Sequence, residues 1–358
     1  ESFSERQRLF ALPRSSWADY DAALISEGGG IYPRTAKHIE ISAAAQRVLM
    51  VDRTTFTPLE LLSTILRAPV DVLWNGGIGT YVKASTETHG EVGDRANDGL
   101  RINGGELRCK VVGEGGNLGF TQRGRIEYAL AGGLIYTDAI DNSAGVDCSD
   151  HEVNIKILLS DVIASTDMSM QQRDELLASM TDEVGELVLD DNRAQTLALA
   201  IARRQALQMV NVHARYLNAL ESEGWLNRQL EFLPTDKQIA ERQAFGMGLT
   251  APEFAVLLAY TKTTNIDLIV GSNLPDDPYL EPELHRYFPA ALQQRYAEQI
   301  ARHRLRREII ATQLGNQMVN ISGISFDHRV TEDTGVGIVE ISRAWVAARD
   351  VFGIADTW

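Results

Sequence analysis

Apolar positions follow two rhythms along the chain. Over the first 150 residues, short apolar runs end in glycine. Beyond about Ser149, apolar residues recur every three or four positions. Val70–Trp74 (VDVLW), Arg108–Gly113 (RCKVVG) and Leu134–Thr137 (LIYT) read as buried strands. Thr57, Pro58 and Glu60 open a helix: threonine caps, proline takes the first turn and glutamate answers at N3. Leu61, Leu62, Ile65 and Leu66 give that helix its apolar stripe. Residues 121–131 predict a second helix with Ile126, Ala129 and Leu130 inward. Strand–helix–strand alternation implies parallel strands joined by right-handed crossovers.

The second half reads as helices. Leu207, Val210, Ala214 and Leu217 form one stripe, in a long segment starting near Asp191. Ile310, Leu314, Met318 and Ile321 form another, and a last helix is expected over 336–349. Pro234, Pro252, Pro275, Pro278, Pro282 and Pro289 stand at helix boundaries. The pattern predicts an α/β partial Rossmann-like parallel sheet over 1–150, followed by an all-α helical domain over 151–358.

Composition sharpens this. Of 29 glycines, 19 lie in residues 1–150, as glycine-rich turns between strands require. The net charge of −15 disfavours a broad nucleic-acid face. No apolar run approaches the ~18 residues of a membrane span, and no signal peptide is visible. Cys109 and Cys148 are too few for a disulfide framework. A soluble cytoplasmic protein with free thiols is expected. The chain has no initiator methionine, and Val351–Trp358 follows the last helix without a polar tail, which reads as an excised fragment.

The densest chemical signal is Gly113–Gly119 (GEGGNLG), a glycine-lined turn between an apolar strand and a helix. Its backbone N–H groups suit an anion or a ribose, and missing Cβ atoms suit close ligand approach. It is one residue longer than a dinucleotide fingerprint; Asp138 or Asp141 stands where the acidic partner of such a turn is expected. A turn that merely needs positive φ reads equally from the same glycines. Next comes Thr137–Glu152. The Asn142 amide suits a carboxamide or ribose, and Ser149 near a helix N-terminus suits a carboxylate. Asp147, Ser149 and Asp150 read equally as helix caps. His151 and Glu152 are adjacent and share no helix face, and no HxxxH or CxxC spacing occurs, so no metal site is expected. Cys148 has no evident base partner. Trp74–Thr80 (WNGGIGT) closes a predicted strand, and ligands of open α/β sheets bind outside carboxyl strand ends. The polar run His89–Asp98 reads as a solvated or inter-subunit loop, or one folding over the cleft. No GxSxG elbow or Walker lysine loop occurs.

Three stretches resemble the very large bacterial NAD-dependent glutamate dehydrogenases. They are Gly28–Pro33 (GGGIYP), Trp74–Lys83 (WNGGIGTYVK), and Glu114–Asn117 (EGGN) with Asn142–Ser149 (NSAGVDCS). The resemblance covers residues 1 to about 165. It implies that 1–150 is a partial NAD-binding domain lacking its first strands, and 151–358 the helical C-terminal domain. It implies NAD as cofactor and L-glutamate/2-oxoglutarate as substrate pair. Asn75, Gly76 and Gly77 would present backbone to the coenzyme, Asn117 would line its nicotinamide-ribose side, Asn142 would meet its nicotinamide end, and Ser149 would hold a glutamate carboxylate. The family's catalytic lysine and aspartate have no counterpart here, so no catalytic residue is assigned and the chain alone is expected to be inactive, with poor coenzyme affinity. Asn142-Ser143-Ala144-Gly145 departs from the family's usual Asn-Ala-Gly-Gly. No nucleic-acid or membrane partner is implied, and the whole enzyme is expected to be a homo-oligomer. Two rivals stand: another amino-acid dehydrogenase acting on leucine or valine, and a non-catalytic helical assembly or regulatory module.

Overall fold

A computed structural model describes residues 2–166 and 168–354; the chain's last four residues, read above as part of an apolar end, lie outside it. The chain forms two compact units, Glu1–Ile135 and Tyr136–Trp358. Asn142 and Ser149 therefore fall in the second.

The first unit runs α1 (Ser2–Ala11), β1 (Ile39–Glu40), α2 (Ala43–Leu49), β2 (Thr55–Phe56), α3 (Pro58–Leu66), β3 (Val72–Asn75), β4 (Val82–Lys83), α4 (His89–Val92), β5 (Ile102–Asn103), β6 (Val111–Glu114) and α5 (Gln122–Leu130). β3 pairs parallel with β6, and β4 parallel with β5; β1 and β2 are antiparallel. The unit is thus α/β with short parallel strand pairs. Leu134 joins β6 through a single parallel bridge to Val111. It does not extend as a strand, because Thr137 already caps the next helix. One core gathers Val82, Ile102, Val112, Phe120 and Tyr128; another gathers Ile39, Phe56 and Leu61.

Local chemistry sets the helix starts. Thr57 and Glu60 make the expected capping box with Pro58 in the first turn. Two inward assignments need correction. Ile65 is 43% exposed and Leu130 41% exposed. In α5 the buried face is Arg125, Ile126 and Tyr128, because an ion pair draws Arg125 inward.

The second unit is helical: α6 (Asp138–Asp141), α7 (Ser143–Ser165), α8 (Met170–Ser179), α9 (Thr181–Arg204), α10 (Val210–Ser222), α11 (Asp236–Ala244), α12 (Ala251–Val270), α13 (Glu281–Tyr287), α14 (Ala290–Arg295), α15 (Ala297–Ala301), α16 (Arg306–Ser322), α17 (Phe326–Thr334) and α18 (Ile338–Val351). Ile310, Leu314 and Met318 are buried as their spacing predicts. The long segment from Asp191 is broken between α9 and α10, leaving Leu207 46% exposed. No glycine or proline causes the break. Ala206 is buried there with its carbonyl against Gly248, where a Cβ would lie 2.4 Å away; tertiary packing overrides helix propensity. Among the described residues no helix is long and apolar enough to cross a membrane, and neither cysteine is paired.

Candidate coenzyme-side site

The parallel register places Asn75 opposite Glu114, so both glycine turns leave from the same carboxyl edge. The turns interlock. A Cβ on Gly113 or Gly115 would lie 2.8 or 2.4 Å from the Trp74 ring, and one on Gly116 2.5 Å from the Gly77 carbonyl oxygen. One on Gly119 would strike the Asn75 amide. These glycines let one turn pack on the other, a use the sequence had not distinguished from ligand approach. The Gly116 N–H donates to the Asn75 carbonyl at 3.0 Å, and the Thr80 hydroxyl to the Leu118 carbonyl at 2.7 Å. Asn75 Nδ2 is buried with no hydrogen-bond partner. Trp74 and Leu118 remain largely exposed, and Gly76, Gly77 and Asn117 are also exposed.

Four charged residues brace this edge. Arg125 donates to both oxygens of Glu114, at 2.7 and 2.9 Å, and the two side chains are 5% and 0% exposed. Asp94 accepts from the Thr80 N–H at 2.8 Å and from Asn97 at 2.7 Å. The fully buried Arg101 guanidinium donates to the Thr80 carbonyl at 2.7 Å and pairs with Asp98. The run His89–Asp98 thus pins the 75–80 turn instead of waving in solvent. Backbone donation from Thr80 and the Asn97 amide hold the Asp94 carboxyl below its usual range, Asn97 contributing most. Sequence reading gave Glu114 and Asp94 no bracing role and did not single out Arg101 or Arg125. The available signal was a lone glutamate inside an apolar strand end, which demands a cation.

In the second unit Asn142 flanks both α6 and α7. α7 begins at Ser143, so Ser149 sits in its second turn and is exposed. The expected helix N-terminus at Ser149 is therefore not found, and none of Asp147, Ser149 and Asp150 caps the helix. The dipole effect fades within the first turn, so Ser149 has only its hydroxyl to offer. Cys148 is exposed.

One face of α7 carries a different cluster. Asp147 and His151, four residues apart, meet Asp191 of α9, and one ligating atom from each lies within 4.8 Å of the others. The sequence reading weighed His151 and Glu152 with the nearby aspartates but passed over the four-residue spacing of Asp147 and His151. Burial, then Asp191 and Asp150, pushes the Asp147 carboxyl up to about 6; burial pushes Lys262 down to about 8 despite these acids. The lysine and the aspartates compensate one another electrostatically. His151 stacks on Tyr287 at 4.4 Å.

Comparison with known sequences decides the family. The family described as "Bacterial NAD-glutamate dehydrogenase, catalytic domain" matches residues 1–202, and "Glutamate dehydrogenase, C-terminal" matches 246–358. The chain belongs to the bacterial NAD-glutamate dehydrogenase family. Relatives named NAD-specific glutamate dehydrogenase include those of Pseudomonas aeruginosa (53% identical over 98% of this chain), Halomonas elongata (50% over 100%) and Mycobacterium tuberculosis (48% over 100%). The chain spans 22% of the length of each. Within this glutamate dehydrogenase family, the braced turns lie in the part matching the catalytic domain.

Proposed function

We propose that the full-length protein oxidises L-glutamate to 2-oxoglutarate and ammonium with NAD, and that this chain supplies part of a Rossmann-like coenzyme domain together with a helical C-terminal domain. Family membership supports the reaction. The observation that supports the coenzyme role is the buried, unpartnered Asn75 Nδ2 at the carboxyl end of β3, a donor that a ligand's oxygen would satisfy. When bound, NAD would supply the acceptor for hydride from Cα of glutamate, and hydrolysis of the resulting imine would release 2-oxoglutarate and ammonium. Asn75, Gly76, Gly77 and Asn117 would hold the coenzyme. Ser149 would donate its hydroxyl to a glutamate carboxylate, orienting Cα for transfer. Arg125 and Asp94 act as positioning residues, holding the two turns that carry Asn75 and Asn117. The unpaired cysteines accord with a cytoplasmic enzyme, and we take the full-length protein to be a homo-oligomer.

NADH formation by the full-length protein, with and without Ser149→Ala, tests this. A KM for glutamate raised about tenfold, with NAD affinity unchanged, supports the reading. An unchanged KM removes Ser149 from the substrate site. Turnover of leucine or valine but not glutamate overturns the substrate assignment.

A further inference from the structure

A cavity of about 400 Å³ lies within the helical unit, lined from α9, the α9–α10 turn, α10 and the 320–329 segment. Ile201, Met209 and Ile324 form an apolar wall. The chain carries 49 acidic residues, yet none lines this cavity. Its lining includes one cation, Arg329, which is exposed and has no carboxylate within ion-pair distance among the described residues; its Nε reaches only the Ser325 carbonyl, at 3.4 Å. Two further lining residues are orphaned. His213 and Asn320 are 4% and 6% exposed, and neither His213 Nδ1 nor Asn320 Oδ1 has a hydrogen-bond partner. Buried polar atoms of this kind cost free energy unless something satisfies them. Burial, and secondarily the Arg329 charge, pushes His213 down to about 4, so the ring is neutral near pH 7 and Arg329 carries the cavity's charge.

We propose that this cavity binds a small organic carboxylate that also carries a hydrogen-bond donor. Arg329 would take the carboxylate, since a guanidinium pairs both oxygens at once. Asn320 Oδ1 can only accept, so it calls for an N–H or O–H on the ligand. His213 Nδ1 would take either role through its tautomer. The apolar wall would receive a short alkyl chain. This site shares no residue with Ser149, and it does not depend on the reading of the reaction.

Titration calorimetry on this chain with L-lactate tests the proposal. Lactate should bind saturably at one site. Lactamide, which lacks the charge, and propionate, which lacks the hydroxyl, should each bind at least about tenfold more weakly. Arg329→Gln should weaken lactate at least about tenfold with an unchanged melting temperature, and Arg329→Lys should restore part of the loss. Asn320→Asp, equal in shape, places a carboxylate in the cavity and should abolish binding. Ser149→Ala should leave binding unchanged. Absent saturation, equal binding of lactamide, or full affinity in Arg329→Gln overturns the proposal.

Discussion

Replacing Arg125 with methionine leaves Glu114 buried and charged without its guanidinium. The pair makes two hydrogen bonds, at 2.7 and 2.9 Å, between side chains 5% and 0% exposed. Charges about 4 Å apart interact by about 4 kcal/mol at an effective dielectric near 20. Desolvation offsets much of this while the pair is intact, and removing Arg125 takes away the attraction without returning Glu114 to water. The expected loss is about 3–5 kcal/mol. Glu114→Leu with Arg125→Met removes both charges and should cost less than Arg125→Met alone. Hydrogen exchange reads the first unit separately from the second. In Arg125→Met, protection of the Val111–Glu114 amides should fall at least about a hundredfold, and the double variant should regain part of it. A loss below about 1 kcal/mol, or a double variant no better than the single one, would refute the reasoning.

Gly116→Ala forces a methyl against the Gly77 carbonyl, 2.5 Å from the ideal Cβ. It should cost about 1–3 kcal/mol by urea denaturation; a neutral result would show that the turns are not interlocked. Asp147→Asn should be pH-dependent in the helical unit. Folding raises the Asp147 carboxyl from its ordinary value to about 6. The folded state therefore binds more protons, and stability is lost as pH rises from about 4 through 6. The asparagine escapes this loss, so its melting temperature should exceed the parent's at pH 7.5, with the gain vanishing near pH 4. The gain has an upper bound of about 3 kcal/mol, reduced by the nearby Lys262 charge. A gain of equal size at both pH values would contradict the assignment. Thr57→Ala removes the hydroxyl that accepts from the Glu60 N–H while the residue-57 N–H still donates to the Glu60 carboxylate, and should destabilise the first unit by about 1 kcal/mol in the same urea assay; no change would mean that the hydroxyl cap is dispensable.

Local chemistry was legible in the sequence. The Thr57 cap, the helix opened by Thr121 and the Ile310–Met318 stripe each depend on neighbours within one turn or one periodic face. The parallel pairing of Val72–Asn75 with Val111–Glu114 also followed from strand–helix alternation. What escaped depends on distant partners. Leu207 belongs to an apolar stripe, but the Ala206–Gly248 contact breaks its helix. Asp94 lies in a run that reads as a polar loop and nothing local marks Arg101; only the fold brings both to the Thr80 backbone groups they hold. Asp191 is about forty residues from Asp147, and only the packing of α9 on α7 joins them. The glycines of 113–119 were correctly singled out as a turn, yet only the structure shows that Trp74, Asn75 and Gly77 occupy the space their missing Cβ atoms leave.

The most direct test of the coenzyme site uses Asn75→Ala in the full-length protein, following glutamate-dependent NADH formation. Asn75 Nδ2 is buried and unpartnered in this structure, so alanine removes the donor that the coenzyme is proposed to engage. The KM for NAD should rise about tenfold while the KM for glutamate stays within about twofold. An unchanged KM for NAD, with activity intact, would contradict the placement of the coenzyme at the carboxyl ends of β3 and β6.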